Sequence, residues 1–210
     1  MQQYDDIPQL LLWKPYSKGQ LAMSLSDFLL KNSKTDNDTT LSPRRLYYIN
    51  PVNSFPLEEF QKLVPLNVPS NKHIYDNIMI NQVLNMNELS TTIDKIIETT
   101  KDTTDSNENE SNPKAVHTIP SEALIVISGI DIMFQNSNMS DTTHAHNLLN
   151  SILLQLRLTA NTNHGSFKTV VLSRDQGVPR SGSTTSQKRA KHDGNTVYDY
   201  ISKYYADYTL

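Results

Sequence analysis

A lysine and a glycine lie between an apolar run and an amphipathic stretch near the beginning of the sequence, where a phosphate could be bound. The segment 10–30 predicts an apolar strand, a turn containing Pro15 and Gly19, and a helix whose apolar residues are Leu21, Leu25, Phe28 and Leu29. A strand, a loop and a helix in this order bind phosphates when glycines expose backbone N–H groups, a lysine reaches the ligand and a hydroxyl holds magnesium. Lys18 occupies the lysine position, but Leu12 and Ser17 stand where the glycines belong. Because Gly19 also replaces the hydroxyl residue, we expect a nucleotide-binding scaffold with a degenerate nucleotide site.

A second set of candidate functional residues is a group of cations in a polar segment near the end of the sequence: Arg180, Lys188, Arg189 and Lys191. No acidic residue lies between Gln176 and His192, and glycine, serine and threonine surround the cations. We therefore predict a mobile basic loop over about 176–195 that follows a DNA phosphate backbone without reading the bases. A solvated basic loop and a nuclear import signal at Lys188–Lys191 are the alternatives.

Other reactive side chains form no recognisable site. His144 and His146 are two residues apart, so they point to different sides of a helix, and no third ligand follows in the sequence. Ser24, Ser26 and Asp27 do not provide a nucleophile with an oriented base. The sequence has no cysteine, which excludes disulfides and thiolate metal ligands. We predict no catalytic residue, no metal site and no cofactor.

Phe55 is an apolar side chain in a polar turn between Ser54 and Pro56. One interpretation is a contact with a protein partner. The other is a hydrophobic staple that fixes the entry of the following helix.

The elements that must position these residues alternate between strands and helices. Strands are predicted at Arg44–Asn50, at His73–Val83 with its centre at 77–81, at Ala123–Ile127 and at Phe167–Leu172. The strand Ala123–Ile127 is expected to continue through Ile130, Met133 and Phe134 towards a polar loop at 135–143. Helices are predicted from a cap at Asn53 or Ser54 with Pro56 in the first turn, at Met86–Lys101, at 143–159 and near the end, where Val197, Tyr200, Ile201 and Tyr204 have helical spacing. This alternation predicts an α/β fold with a mostly parallel sheet and helices on both faces.

Length and composition limit the remaining interpretations. The 210 residues suit a single domain, 1–210, with a disordered insertion at about 99–118, where the sequence is almost entirely polar. The net charge of -3 requires that any nucleic-acid site gather its cations locally. No apolar run approaches the roughly 18–20 residues that span a bilayer, and the acidic start is unlike a signal peptide, so we expect no membrane association.

Several segments in this order resemble the ATPase core of the RecA-type recombinases and their paralogues: Gln20–Leu25, Tyr48–Phe55, Asn77–Val83 and Leu124–Ser128. A closer resemblance, to the Shu-complex subunits of this family, lies in Ser54–Leu57, Phe60–Pro65, Ile74–Ile78 and Lys203–Asp207. The resemblance implies a RecA-like P-loop core. It places the catalytic glutamate of the family at Val52 and the magnesium-binding aspartate at Ser128. Neither residue can perform those tasks, so we expect that the chain is not an enzyme.

The resemblance also implies partners and a cellular role. The basic segment falls where recombinases carry their second DNA-binding loop, whereas the first such loop would fall at 135–143, which has Asp141 and no lysine or arginine. We expect a nuclear, DNA-binding subunit that forms a heterodimer with a second degenerate recombinase paralogue. With other Shu-complex subunits and recombinase paralogues, it would promote recombinase filament assembly in homologous recombination and error-free damage tolerance. A purely structural adaptor and a working nucleotide phosphohydrolase are the alternative functions.

Overall fold

The computed structural model describes residues 10–14, 17–30, 44–101, 122–162, 166–173 and 196–210. The strands are β1 Leu10–Trp13, β2 Arg44–Asn50, β3 Ile78–Gln82, β4 Glu122–Ser128, β5 Phe167–Leu172 and β6 Tyr208–Thr209. The helices are α1 Lys18–Leu30, α2 Leu57–Leu63, α3 Lys72–Asp76, α4 Met86–Lys101, α5 Ile130–Asn138, α6 Thr142–Thr162 and α7 Val197–Tyr204. A 3₁₀ turn at Pro69–Asn71 precedes α3.

The strands form one six-stranded sheet in the order β3-β2-β4-β5-β1-β6, and every described pair is parallel. β4 and β5 lie in the middle of this sheet and are buried along almost their whole length. A parallel strand that is covered on both faces needs apolar residues without alternation, which is the pattern of Ala123–Ile127. The predicted α/β fold with a mostly parallel sheet is thus confirmed.

Two hydrophobic cores lie on opposite faces of the sheet. Successive strand residues alternate between the cores, so that Tyr47 and Ile49 belong to one and Leu46 and Tyr48 to the other. The first core contains the buried stripes of α4, α5, α6 and α7, and the second contains those of α1, α2 and α3. The helices that follow β1 and β2 therefore cover one face, and those that follow β3, β4 and β5 cover the other.

The predicted strand at His73–Val83 is too long at its beginning, because residues 73–76 belong to α3. Asn77 ends this helix: its side-chain amide donates to the His73 carbonyl over 2.8 Å and its backbone N–H donates to the Ile74 carbonyl over 3.2 Å. The Tyr75 hydroxyl donates to the Val64 carbonyl and ties the short helix to the end of α2. Tertiary contacts of this kind override a local β-branched pattern.

The predicted continuation of the β4 strand through Ile130, Met133 and Phe134 is wrong, because these residues lie in α5. Gly129 adopts a left-handed φ of 74°, which turns the chain out of the strand and caps the new helix. All three apolar side chains are buried and have the spacing i, i+3 and i+4, which is a helical stripe. The predicted polar loop at 135–143 is correspondingly short, since α5 ends at Asn138 and α6 begins at Thr142.

α4 extends to Lys101, as its apolar stripe predicts, so residues 99–101 do not belong to the insertion expected at about 99–118. The Thr99 hydroxyl donates to the Lys95 carbonyl over 2.7 Å, and the Thr100 hydroxyl donates to the Ile96 carbonyl over 3.1 Å. The rest of that insertion and the basic loop at 176–195 lie outside the described residues. Among the described helices, none is long and apolar enough to cross a membrane.

Candidate functional sites at the carboxyl edge of the sheet

Ligands of parallel α/β sheets bind at the carboxyl ends of neighbouring strands whose connections leave towards opposite faces. Among the described strands that meet this condition are the pairs β1 with β5 and β2 with β4. β1 leads to α1 on one face while its neighbour β5 leads to α7 on the other, and β2 leads to α2 while its neighbour β4 leads to α5. These two strand pairs contain the positions that the sequence nominated for phosphate and magnesium.

At the first place, Lys18 is the first residue of α1 and its side chain is exposed. The Ser17 hydroxyl accepts the Gln20 N–H over 3.1 Å, and the Ser17 carbonyl accepts the Leu21 N–H over 3.2 Å. Ser17 thus caps α1 with its own side chain and occupies an N–H group that a phosphate would need. Among the described residues, a Cβ added to Gly19 would meet only the Ser17 hydroxyl at 3.7 Å, an ordinary contact, so no close backbone approach requires this glycine there.

At the second place, hydroxyl groups bond to one another across β2 and β4. The Ser54 hydroxyl donates to the Ser128 hydroxyl over 3.3 Å, and the Tyr48 hydroxyl lies 3.3 Å from the Ser54 hydroxyl. The side-chain oxygen Oδ1 of Asn50 accepts a hydrogen bond from the Ser54 N–H over 3.4 Å. The buried side-chain nitrogen Nδ2 of Asn50 has no hydrogen-bond partner among the described residues. Val52, just beyond β2, is 48% exposed. The cluster offers hydroxyl and amide groups but no carboxylate.

The two histidines of the sequence pattern contact different neighbours. The His144 ring nitrogen Nε2 lies 3.1 Å from Oδ1 of Asn87 in α4, whereas the His146 ring packs edge-on against Phe134 with their centroids 4.8 Å apart. Within the described ranges, no group of three or more histidine, cysteine, aspartate or glutamate side chains could hold a metal ion.

Phe55 is buried, with 8% of its surface exposed, and packs against the rings of Tyr48 at 5.2 Å and Phe60 at 5.8 Å. Pro56 is the N-cap of α2, so Phe55 and Phe60 occupy the N′ and N4 positions of a hydrophobic staple. The contacts of this side chain within the chain therefore match the staple interpretation. Its contact with a partner stays a prediction.

The predicted DNA-binding residues lie outside the described residues: Arg180, Lys188, Arg189 and Lys191. Both described ends of their segment are anchored at the carboxyl edge. The Ser173 N–H, just after β5, donates to the Trp13 carbonyl over 2.8 Å. At the other end, the Tyr198 hydroxyl in the first turn of α7 donates to Asp131 in the first turn of α5 over 2.7 Å.

A capping box begins α7. The backbone N–H and the hydroxyl of Thr196 both donate to the Asp199 carboxylate, at 2.9 and 2.8 Å, and the Asp199 N–H donates back to the Thr196 hydroxyl at 3.1 Å. These two bonds to the carboxylate hold the pKa of Asp199 below its ordinary value of 3.8.

The spacing of the tyrosines near the end of the sequence favours core or partner packing over base stacking, and the structure places them in a group of rings on α5, α6 and the end of α7. This group is here called the aromatic patch: Phe134, His146, Tyr200, Tyr204 and Tyr205. The Tyr200 ring lies 6.4 Å from His146, 5.0 Å from Tyr204 and 6.0 Å from Tyr205, measured between centroids. Burial raises the pKa of Tyr205 above its ordinary 10.0, and the neighbouring Tyr200 adds to the shift. The only signal in the sequence was the spacing of the tyrosines in α7, because His146 and Phe134 join them only through tertiary packing.

Comparison with known proteins identifies the family. Residues 10–206 match the family model described as "Shu complex component Csm2, DNA-binding". The chain is 31% identical to Chromosome segregation in meiosis protein 2 of Saccharomyces cerevisiae, over 98% of each chain. It is 32% identical to the protein of the same name from Candida glabrata, over 97% of this chain and 96% of that one. This chain belongs to the Csm2 family of Shu complex components.

Proposed function

We propose that this chain is a non-catalytic, DNA-binding subunit of a nuclear Shu complex. It pairs with a second degenerate recombinase paralogue, and the complex promotes recombinase filament assembly in homologous recombination and error-free damage tolerance. The observation that carries the proposal is the match of residues 10–206 to a family of DNA-binding Shu complex components.

A RecA-like core without nucleotide chemistry is part of the proposal. Support comes from the parallel strand order, in which β1 lies inside the sheet and leads directly into α1. Further support comes from the two positions that the resemblance assigns to catalysis, because Val52 is an exposed aliphatic side chain and Ser128 is bonded to another serine. A hydrated magnesium ion needs charged oxygen ligands, and a water nucleophile needs a proton acceptor.

Binding to DNA is proposed to be electrostatic and without sequence preference. The four cations Arg180, Lys188, Arg189 and Lys191 lie between Ser173 and Thr196, the two residues that frame their segment at the carboxyl edge. Each phosphate that they neutralise releases counterions, so the logarithm of affinity should fall with the logarithm of salt by about 0.7 to 0.9 per contact.

The test measures DNA binding of the co-expressed complex by fluorescence anisotropy across a salt series. Replacement of Arg180, Lys188, Arg189 and Lys191 by alanine should weaken binding and make the salt dependence shallower. A charge-matched pair of triple variants separates position from net charge. Lys188, Arg189 and Lys191 to alanine should weaken binding, whereas the exposed lysines Lys62, Lys72 and Lys95 to alanine should not. Unchanged affinity and slope in the four-alanine variant would contradict the proposal.

The second candidate is a purely structural adaptor without direct contact to DNA. Half-exposed leucines on the outer face of α6 favour a protein contact, since Leu154 is 53% and Leu158 is 54% exposed. An adaptor predicts that the four-alanine variant keeps both its DNA affinity and its partner. A nucleotide phosphohydrolase would instead show magnesium-dependent ATP binding that the change Lys18→Ala abolishes.

A further inference from the structure

The aromatic patch combines fixed rings with an exposed edge. Oδ1 of Asn150 accepts hydrogen bonds from the Tyr200 hydroxyl at 2.6 Å and from the Tyr205 hydroxyl at 3.1 Å, which holds both rings against α6. Tyr204 leans on Tyr200 and is 55% exposed, and the His146 side chain is also exposed. Tyr204 therefore offers an exposed π surface beside a ring that a hydrogen bond holds in place.

We propose that the aromatic patch is a stacking platform for the bases of single-stranded DNA, with Tyr204 as its principal ring. This inference rests on the proposed DNA-binding function and adds the chemical class of the strand. Bases in a duplex are stacked on one another, whereas a single strand exposes base faces that aromatic side chains can cover. Every base has such a face, so the platform binds without sequence preference.

The cation at the patch fits this partner. Nζ of Lys203 lies 5.1 Å from the centroid of the Tyr204 ring. An exposed cation–π contact changes an equilibrium constant by about two- to five-fold, whereas a base stacked on an aromatic side chain changes it by about five- to 150-fold. A base therefore displaces the ammonium group from the ring, and the released ammonium group is free to pair with a phosphate of the same strand.

The chemistry of the patch also favours nucleic acid over a protein partner. Tyr204 is the last residue of α7, about two helical turns from Thr196, where the chain returns from the segment with four basic residues. The rings carry hydroxyls and lie beside a lysine, whereas the aliphatic side chains Leu154 and Leu158 are located farther along α6.

The experiment uses the co-expressed complex and two labelled oligonucleotides of equal length, oligo-dT and an abasic strand that has the same phosphates without bases. Wild type should bind oligo-dT more tightly than the abasic strand. Tyr204→Ala should weaken oligo-dT binding about ten-fold and leave abasic binding unchanged, while Tyr204→Phe retains the ring and the affinity. Tyr208→Ala is the matched control, because Tyr208 is a 62% exposed tyrosine in β6, outside the patch, and its loss should change neither affinity.

Three results would overturn the inference. Equal binding of both strands by wild type, with no effect of Tyr204→Ala, removes the platform and leaves the DNA-binding proposal intact. Loss of the partner subunit from the Tyr204→Ala complex assigns the patch to protein docking. Failure of the wild-type complex to bind either strand at any salt concentration refutes the proposed function itself, and the platform with it.

Discussion

The two sides of the sheet use their polar and aromatic side chains in opposite ways. On the side of α1 and α2, the hydroxyls of Ser17, Ser54 and Ser128 bond to their own backbone or to each other. On the side of α5, α6 and α7, Tyr204 and Lys203 are exposed. The hydroxyl groups at these strand ends thus bond within the chain, whereas the opposite side presents an aromatic ring to solvent. This difference is the reason why the proposed base-stacking contact is placed on the α5–α7 side.

The largest effect is expected from Phe55→Ala, which removes the ring that joins Tyr48 to Phe60 on the α1–α2 side. Loss of a buried phenyl ring should lower the free energy of unfolding by about 3 kcal/mol in urea unfolding. Phe55→Leu, which retains most of the apolar volume, is the control and should lose less. A folded Phe55→Leu complex that sheds its partner would support the predicted partner contact, and an Ala variant as stable as wild type would contradict the staple.

Ser128→Asp tests whether a carboxylate can be restored at the fastened strand end. Ser128 is only 7% exposed, so a charge there should cost about 2 kcal/mol of unfolding free energy. We expect that magnesium and ATP will not raise the melting temperature of this variant, because Val52 and Ser17 remain. Ser128→Ala is the uncharged control. Stabilisation of Ser128→Asp by magnesium with ATP would contradict this expectation and support the alternative of a working nucleotide site.

Neighbouring tyrosines in β2 allow a direct comparison of the two faces. The Tyr48 hydroxyl bonds to Ser54, so Tyr48→Phe should lower the unfolding free energy by about 1 kcal/mol. The buried Tyr47 hydroxyl faces the other core and has no partner in the described part of the chain. Tyr47→Phe should therefore cause no loss of stability. Equal losses in the two variants would show that Tyr47 has a partner after all.

The smallest expected effect is a loss of thermal stability at low pH, when Asp199 in the capping box of α7 is protonated. Because hydrogen bonds lower the pKa of Asp199 in the folded chain, its contribution to stability is complete above its ordinary value of 3.8. The contribution is lost as the pH falls through the lower folded pKa. Wild type should therefore lose more thermal stability below this pH than Asp199→Ala, measured by circular dichroism at matched ionic strength. Parallel pH profiles would contradict the role of the capping box.

Most strands and helices could be predicted because the spacing of their apolar residues matches the period of a helix or a strand. β4 was recognisable from Ala123–Ile127, and α4 was predicted to its last residue. The two incorrect element boundaries lie where a single residue ends one element and begins the next. Gly129 redirects an apolar run into α5, and Asn77 closes α3 just before β3. β6 has two residues and pairs with Leu11 and Leu12 of β1, so it is too short to show a periodic pattern in the sequence.

By itself, the sequence determined the order of elements and the residue types available at each strand end, including Val52 and Ser128 at the positions that the resemblance assigns to catalysis. These follow from residue identity and from the spacing that each element imposes. Only the tertiary structure decided which distant side chains meet. Ser54 and Ser128 are 74 positions apart and bond because β2 and β4 are neighbours in the sheet. His146 meets Tyr200 because α6 and α7 cover the same face, a proximity that no local pattern encodes.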